Sequence, residues 1–237
     1  LGDYDMNDVV IVSRIDRMMS KDGGKVSALT INWELRAAGT TYDIAGAVQM
    51  DKVQTSDVAG VVSSHEGFGS GAFASRGLDA DSPCAVIPFF NRTEELLSAS
   101  NTWKGQPAAA IRKHTTTVTF SQPVDIASVL DSEMNFFIAP KQRTSEIHMP
   151  GYAPTASGII GKGSFLPSDP YKFFVTEGDQ AKNNYMMWAL MIPGEFRYPA
   201  ETNDIRGVYE YFMAWASSNG AEHAEWYLES ADAGRIY

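Results

Sequence analysis

Residues 26–36, VSALTINWELR, alternate cleanly: Leu29, Ile31, Trp33 and Leu35 fall on one face, Thr30, Asn32, Glu34 and Arg36 on the other. That period of two predicts a half-buried strand. The run before it, DVVIVSRID (8–16), is nearly continuous in apolar residues and predicts a partner strand, with KDGGK (21–25) as the turn between them. Further strands are expected at DIAGAVQM (43–50), CAVIPFF (84–90), HTTTVTF (114–120) and MNFFIAP (134–140), on apolar, β-branched and aromatic content. NNYMMWALMIPGEFRYP (183–199) predicts an apolar strand ended by Pro193-Gly194.

Between these runs, HEGFGSGAFASRG (65–77) and the proline-bearing stretch 150–172 read as long loops. NRTEELLS (91–98) predicts a helical turn capped by Asn91 or Thr93. In 201–220, Val208, Tyr211, Phe212 and Trp215 recur at helical spacing, so a helix is expected, with Thr202 or Asn203 as its cap and Gly220 at its end. No repeat at a fixed period and no linker interrupts the chain. The pattern therefore predicts one domain over 1–237: a mainly β, antiparallel sandwich, jelly-roll-like, with one or two short helices and long loops.

Composition narrows the function classes. A formal charge of −10 with no dense Lys/Arg run argues against nucleic acid as a partner and suits divalent cations. The single cysteine, Cys84, excludes an intramolecular disulfide and a Cys/His zinc motif. No stretch is apolar over the ~20 residues that span a bilayer, so membrane contact is expected only through an anchor outside this chain. The chain opens inside a motif, and we expect a fragment that lacks an upstream region and export signal.

That opening, LGDYDMNDVV, sets Asp3, Asp5, Asn7 and Asp8 against the start of a strand. Alternating hard oxygens of this kind can converge on Ca²⁺, with the Tyr4 or Met6 carbonyl completing the shell. An EF-hand is excluded, because Asp8 stands where that loop needs glycine and Arg14 where it needs glutamate. A solvated acidic turn is the other reading, and the residues alone leave both open.

Glu146 and His148 fall on one side of a strand, as an acid/base or ligand pair or as a hydrogen-bonded anchor for the next loop. Glu146 is also a candidate distant carboxylate for the opening. Eleven of the 27 aromatic residues lie in 185–237. The helical ones suit a core, while Tyr198, Trp226 and Tyr227 adjoin loops and are the candidates for an exposed sugar-stacking surface, with His148 as a further ligand contact. His65 and His114 are isolated in sequence and receive no role. No G-x-S-x-G elbow, phosphate loop or dinucleotide fingerprint is present, and no catalytic residues are nominated.

Four stretches carry a resemblance. GDYDMNDVV (2–10), EIHMPGYAPT (146–155), WALMIPGEFRYPAE (188–201) and the Trp215 helix followed by EWY (225–227) resemble, in order, segments of the LruC-type domain of bacterial, mainly Bacteroidetes, surface proteins and lipoproteins. The resemblance implies an extracytoplasmic location at the cell surface or outer membrane. The opening is also similar to segments of other exported β-domains thought to hold calcium, which favours Ca²⁺ as the cofactor. The expectation is a non-enzymatic surface domain, calcium-stabilised, with a glycan or another surface protein as partner in adhesion. The alternatives are a carbohydrate-active hydrolase using a carboxylate pair and a purely structural assembly domain.

Overall fold

The alternating segment forms the centre of the fold. In the computed structural model, which describes residues 4–98, 100–106, 109–159, 174–176, 184–229 and 231–237, strand β2 (Lys25–Ala37) buries Leu29, Ile31, Trp33 and Leu35 and leaves Arg36 exposed. Each such apolar side chain taken from water contributes about 1.5–3 kcal/mol. β1 (Val10–Met19) pairs antiparallel with β2 through the turn at Gly23 and Gly24, both at positive φ. β6 (His114–Asp125) flanks the other side of β2, and β4 (Val58–Ser63) closes this sheet in the order β1-β2-β6-β4. The second sheet has the order β5-β3-β7-β8, from β5 (Cys84–Phe90), β3 (Ile44–Gln54), β7 (Met134–Pro140) and the short β8 (Ile147–His148). A separate two-stranded ladder joins β9 (Phe174–Thr176) and β10 (Asn184–Met186).

The two four-stranded sheets share one core: Leu29, Ile31 and Val118 of the first meet Val48, Met50, Ile87 and Met134 of the second. The expected antiparallel sandwich with short helices is therefore the observed one. Two details differ from the sequence reading. β1 is an edge strand whose apolar run is half exposed, with Val12 and Met18 outward. β4, unassigned in sequence, is the opposite edge.

The last quarter builds a second core. Phe212, Trp226, Tyr209, Ile205 and Val208 are buried together, and Tyr4 and Met6 of the chain start pack on them. The strand expected over 183–199 extends only to Met186, because Met187 turns into this cluster instead of continuing a ladder. The helix expected over 201–220 is broken into α1 (Ile205–Val208) and α2 (Phe212–Ser217), with Tyr209 between them bridging to Ala231. Asp204, rather than Thr202 or Asn203, caps α1 by accepting from the Arg206 N–H. The turn at 91–98 is a short 3-10 turn (Thr93–Glu95) without a side-chain cap; Asn91 instead holds the glycine-rich loop by bonding Gly69 and Phe73.

Candidate functional site

Tyr4 and Met6 both adopt left-handed backbone, at φ 57° and 54°. Such residues are uncommon outside glycine, and here they coil the acidic opening so that Asp5 and Asn7 turn inward. Asp5 and Asn7 are buried, Asn7 completely, while Asp8 is exposed. Asp3 lies outside the described residues. The coil is fastened to the segment 199–205: Thr202 N–H donates to Asp5 Oδ2 at 3.1 Å, Asn7 Nδ2 donates to Pro199 O at 3.1 Å, and Ile205 N–H donates to Tyr4 O at 2.9 Å. Gly39 N–H is shared between the Asn7 and Asp8 carbonyls.

Two further oxygens meet beside Gly39. A Cβ placed there would collide with Asn7 Oδ1 and come within 3.0 Å of Glu201 Oε2. Glu201 in turn accepts from Thr102 Oγ1 at 2.6 Å. Asn7 Oδ1 is buried and has no hydrogen-bond partner among the described residues, a costly arrangement for a protein interior. An electropositive ligand would satisfy it. Among the described residues no three His, Cys, Asp or Glu side chains converge as metal ligands, so a cation here would draw on the Asn7 amide oxygen together with the Asp5 and Glu201 carboxylates. Hard oxygens in that mixture suit calcium.

Glu146 does not join the opening. Its Oε1 accepts from Arg143 Nη1 and Thr155 Oγ1, and its Oε2 accepts from His148 Nε2 at 2.9 Å and Thr155 N–H at 2.8 Å. His148 is buried, lies flat on Phe137 and meets Asn135 Oδ1 at 2.7 Å. Burial by itself would raise the Glu146 carboxyl, but the hydrogen bonds from His148 and Thr155 and the Arg143 charge outweigh it and hold the group below its ordinary range. The cluster ties the EIHMPGYAPT stretch to β7 and, through Arg143 and Asp79, to the loop before β5. The carboxylate that does approach the opening is Glu201, which sequence spacing could not indicate.

The expected exposure of Tyr198 and Trp226 is not observed. Trp226 is 2% exposed at the centre of the second core, in edge contact with Tyr209 and Phe212. Tyr198 is 8% exposed and stacked on Tyr237, and burial, with Tyr237 beside it, pushes its phenol up to about 12. Large rings next to loops gain more from closing the core over the broken helix than from facing water. Tyr227 is half-buried, its hydroxyl donating to Pro193 O.

A cluster unassigned in sequence lies at one end of the first sheet. His65 follows β4 and His114 begins β6, and the antiparallel pairing of those strands brings the rings to 5.0 Å. Both are buried. His114 stacks on Trp33 at 4.7 Å, and His65 Nε2 lies 3.3 Å from Glu95 Oε2. Burial first, and then the neighbouring His65 and Arg112 charges, lower the His114 pKa and favour the neutral ring. Its Nε2 is buried without a partner among the described residues. Together with Glu66, Gly67 and Arg112, these groups line a cavity of about 250 Å³.

Comparison with known proteins places this architecture. The chain is similar to a crystal structure described as "Putative lipoprotein from Bacteroides ovatus", with 18% identity, a TM-score of 0.69 and coverage of 99% of this chain and 70% of that one. At that identity the likeness shows the fold. A second solved structure, the BSP domain of a biofilm associated protein, is 11% identical over 57% of this chain and 27% of that one, and its TM-score of 0.28 is too low to bear on the fold. No curated protein matches. The family model described as a domain of unknown function (DUF4842) matches residues 24–227, and the chain belongs to that family.

Proposed function

We propose that this chain is a non-enzymatic, extracytoplasmic surface domain of the LruC type whose acidic opening is a calcium clamp. The observation that carries the clamp is the buried Asn7 Oδ1, without a partner among the described residues, facing Glu201 where Asp5 docks on Thr202. Asp5, Asn7 and Glu201 would hold the ion, which would offset their mutual repulsion and lock the chain start to the second core. The name of the similar Bacteroides protein supports a cell-surface, lipid-anchored setting. The external role is adhesion, to a glycan or to another surface protein.

Thermal unfolding with Ca²⁺ and with excess chelator tests the clamp. Free calcium at a hundredfold over Kd should add about 2.7 kcal/mol, a shift of several degrees in Tm. Asp5→Ala should abolish the response. No calcium shift in the wild-type chain would overturn the clamp, and release of reducing ends from a polysaccharide would overturn the non-enzymatic reading.

A further inference from the structure

The surface-domain reading leaves the cavity at the His65–His114 end without a use. Its floor is two imidazoles meeting edge to face, with His114 fixed on Trp33 and His65 held by Glu95. The chain passes close to the His65 ring at Gly67, where a Cβ would sit 3.2 Å from His65 Cε1. The walls carry both signs of charge: the Glu66 and Glu95 carboxylates and the exposed Arg112 guanidinium. An anion would lie against two carboxylates, and a cation against Arg112. A neutral hydroxyl group escapes both penalties, because it can accept from Arg112 and donate to a carboxylate. At about 250 Å³ the space lies below the usual range of about 300–1,000 Å³ for drug-sized ligands and suits a single ring.

We propose that this cavity binds one neutral sugar ring, as the terminal residue of a glycan, between the two imidazoles, Arg112 and Glu66. The proposal gives the adhesion reading a ligand site and is independent of the calcium clamp. For so small a ligand, Kd should be on the order of 1 mM.

The test titrates the whole chain with D-glucose, D-galactose and N-acetyl-D-glucosamine and follows the imidazole resonances of His65 and His114 in proton–nitrogen correlation spectra. Titrations are run with Ca²⁺ and again with chelator. At least one sugar should shift both rings saturably. Arg112→Ala, an exposed change that spares the core, should weaken binding about tenfold. His114→Phe, which keeps the stack on Trp33, should do the same while Tm stays near wild type. The absence of saturable shifts with all three sugars, or equal affinity in Arg112→Ala, would overturn the site. Saturable shifts with acetate or Zn²⁺ and none with sugars would also overturn it, by making it an ion site. Sugar binding that survives in chelator while Ca²⁺ leaves Tm unmoved would sink the clamp and keep the cavity.

Discussion

The Asp5 carboxylate accepts the main-chain N–H of Thr202 at 3.1 Å, across 197 residues of sequence. With Asn7 on Pro199 and Tyr4 on Ile205, it makes the first few residues part of the second core.

Asn7→Ala should destabilise the chain even in chelator. It removes the donor to Pro199 O, which is buried with it, and a cost of about 1–3 kcal/mol is expected. Urea unfolding midpoints of the two proteins in chelator would measure it. An unchanged midpoint would mean that the opening is not docked.

Gly39→Ala and Gly60→Ala should differ sharply. The methyl at Gly39 would enter the space of Asn7 Oδ1 and approach Glu201, whereas no atom of the described residues lies within 4 Å of a Cβ at Gly60. Overpacking at Gly39 should cost about 1–3 kcal/mol, and the Gly60 change about 0.5 kcal/mol or less. Parallel melts of the two variants decide it.

The Glu146 carboxyl is held below its ordinary range in the native chain, so near pH 4 the unfolded chain binds more protons than the native one. Stability from this group is thus complete above about pH 4.3, the ordinary glutamate value, and is lost as pH falls toward its native pKa. Glu146→Gln should cost about 3 kcal/mol at pH 7, since it leaves Arg143 without its buried partner. The gap from wild type should narrow on acidification. Urea unfolding at pH 7 and across the acid range would show it, and a constant gap would contradict the assignment.

His114 makes an opposite use of its surroundings. The native ring favours its neutral form, so the unfolded chain takes up the proton first. Stability should fall as pH drops below about 6.5, the ordinary histidine value, until the native pKa is passed. His114→Phe should flatten that part of the profile, as read from Tm between neutral and mildly acid buffers.

Trp226→Ala should cost about 3–5 kcal/mol, because the ring is sealed among Tyr209, Phe212 and Phe196. Leu228→Ala, two residues on and 63% exposed, should change stability by about 0.5 kcal/mol or less. Similar losses in both would contradict the described core.

The sandwich was legible where the side-chain period was unambiguous. Leu29, Ile31, Trp33 and Leu35 announce one face of β2, and all four are buried. β1 illustrates the limit of that signal: an apolar run does not reveal whether the strand is central or at an edge, since sheet order is settled by distant partners. The run 183–199 has strand-like content, yet its apolar groups are drawn into a core that the broken helix creates. The acidic opening was visible as a cluster, but Glu201 reaches it only through the docking of segment 199–205. The His65–His114 pair was invisible, because its geometry is a product of the β4–β6 register, which also sets Thr115 N–H on Ser64 Oγ across 51 residues.

One strip of chain meets both ends of the described structure. Residues 199–205 receive Tyr4, Asp5 and Asn7, and the same strip begins beside Tyr198, whose carbonyl accepts from the Tyr237 N–H, while Ala200 N–H donates to Arg235 O. Under a pulling force applied between Tyr4 and Tyr237, tension would pass from one end to the other through this strip. The two sheets would stay off the load path until the clasp broke. The mechanical strength of the region would then be set by a few hydrogen bonds around Pro199, and an ion bound beside them would act as a rivet.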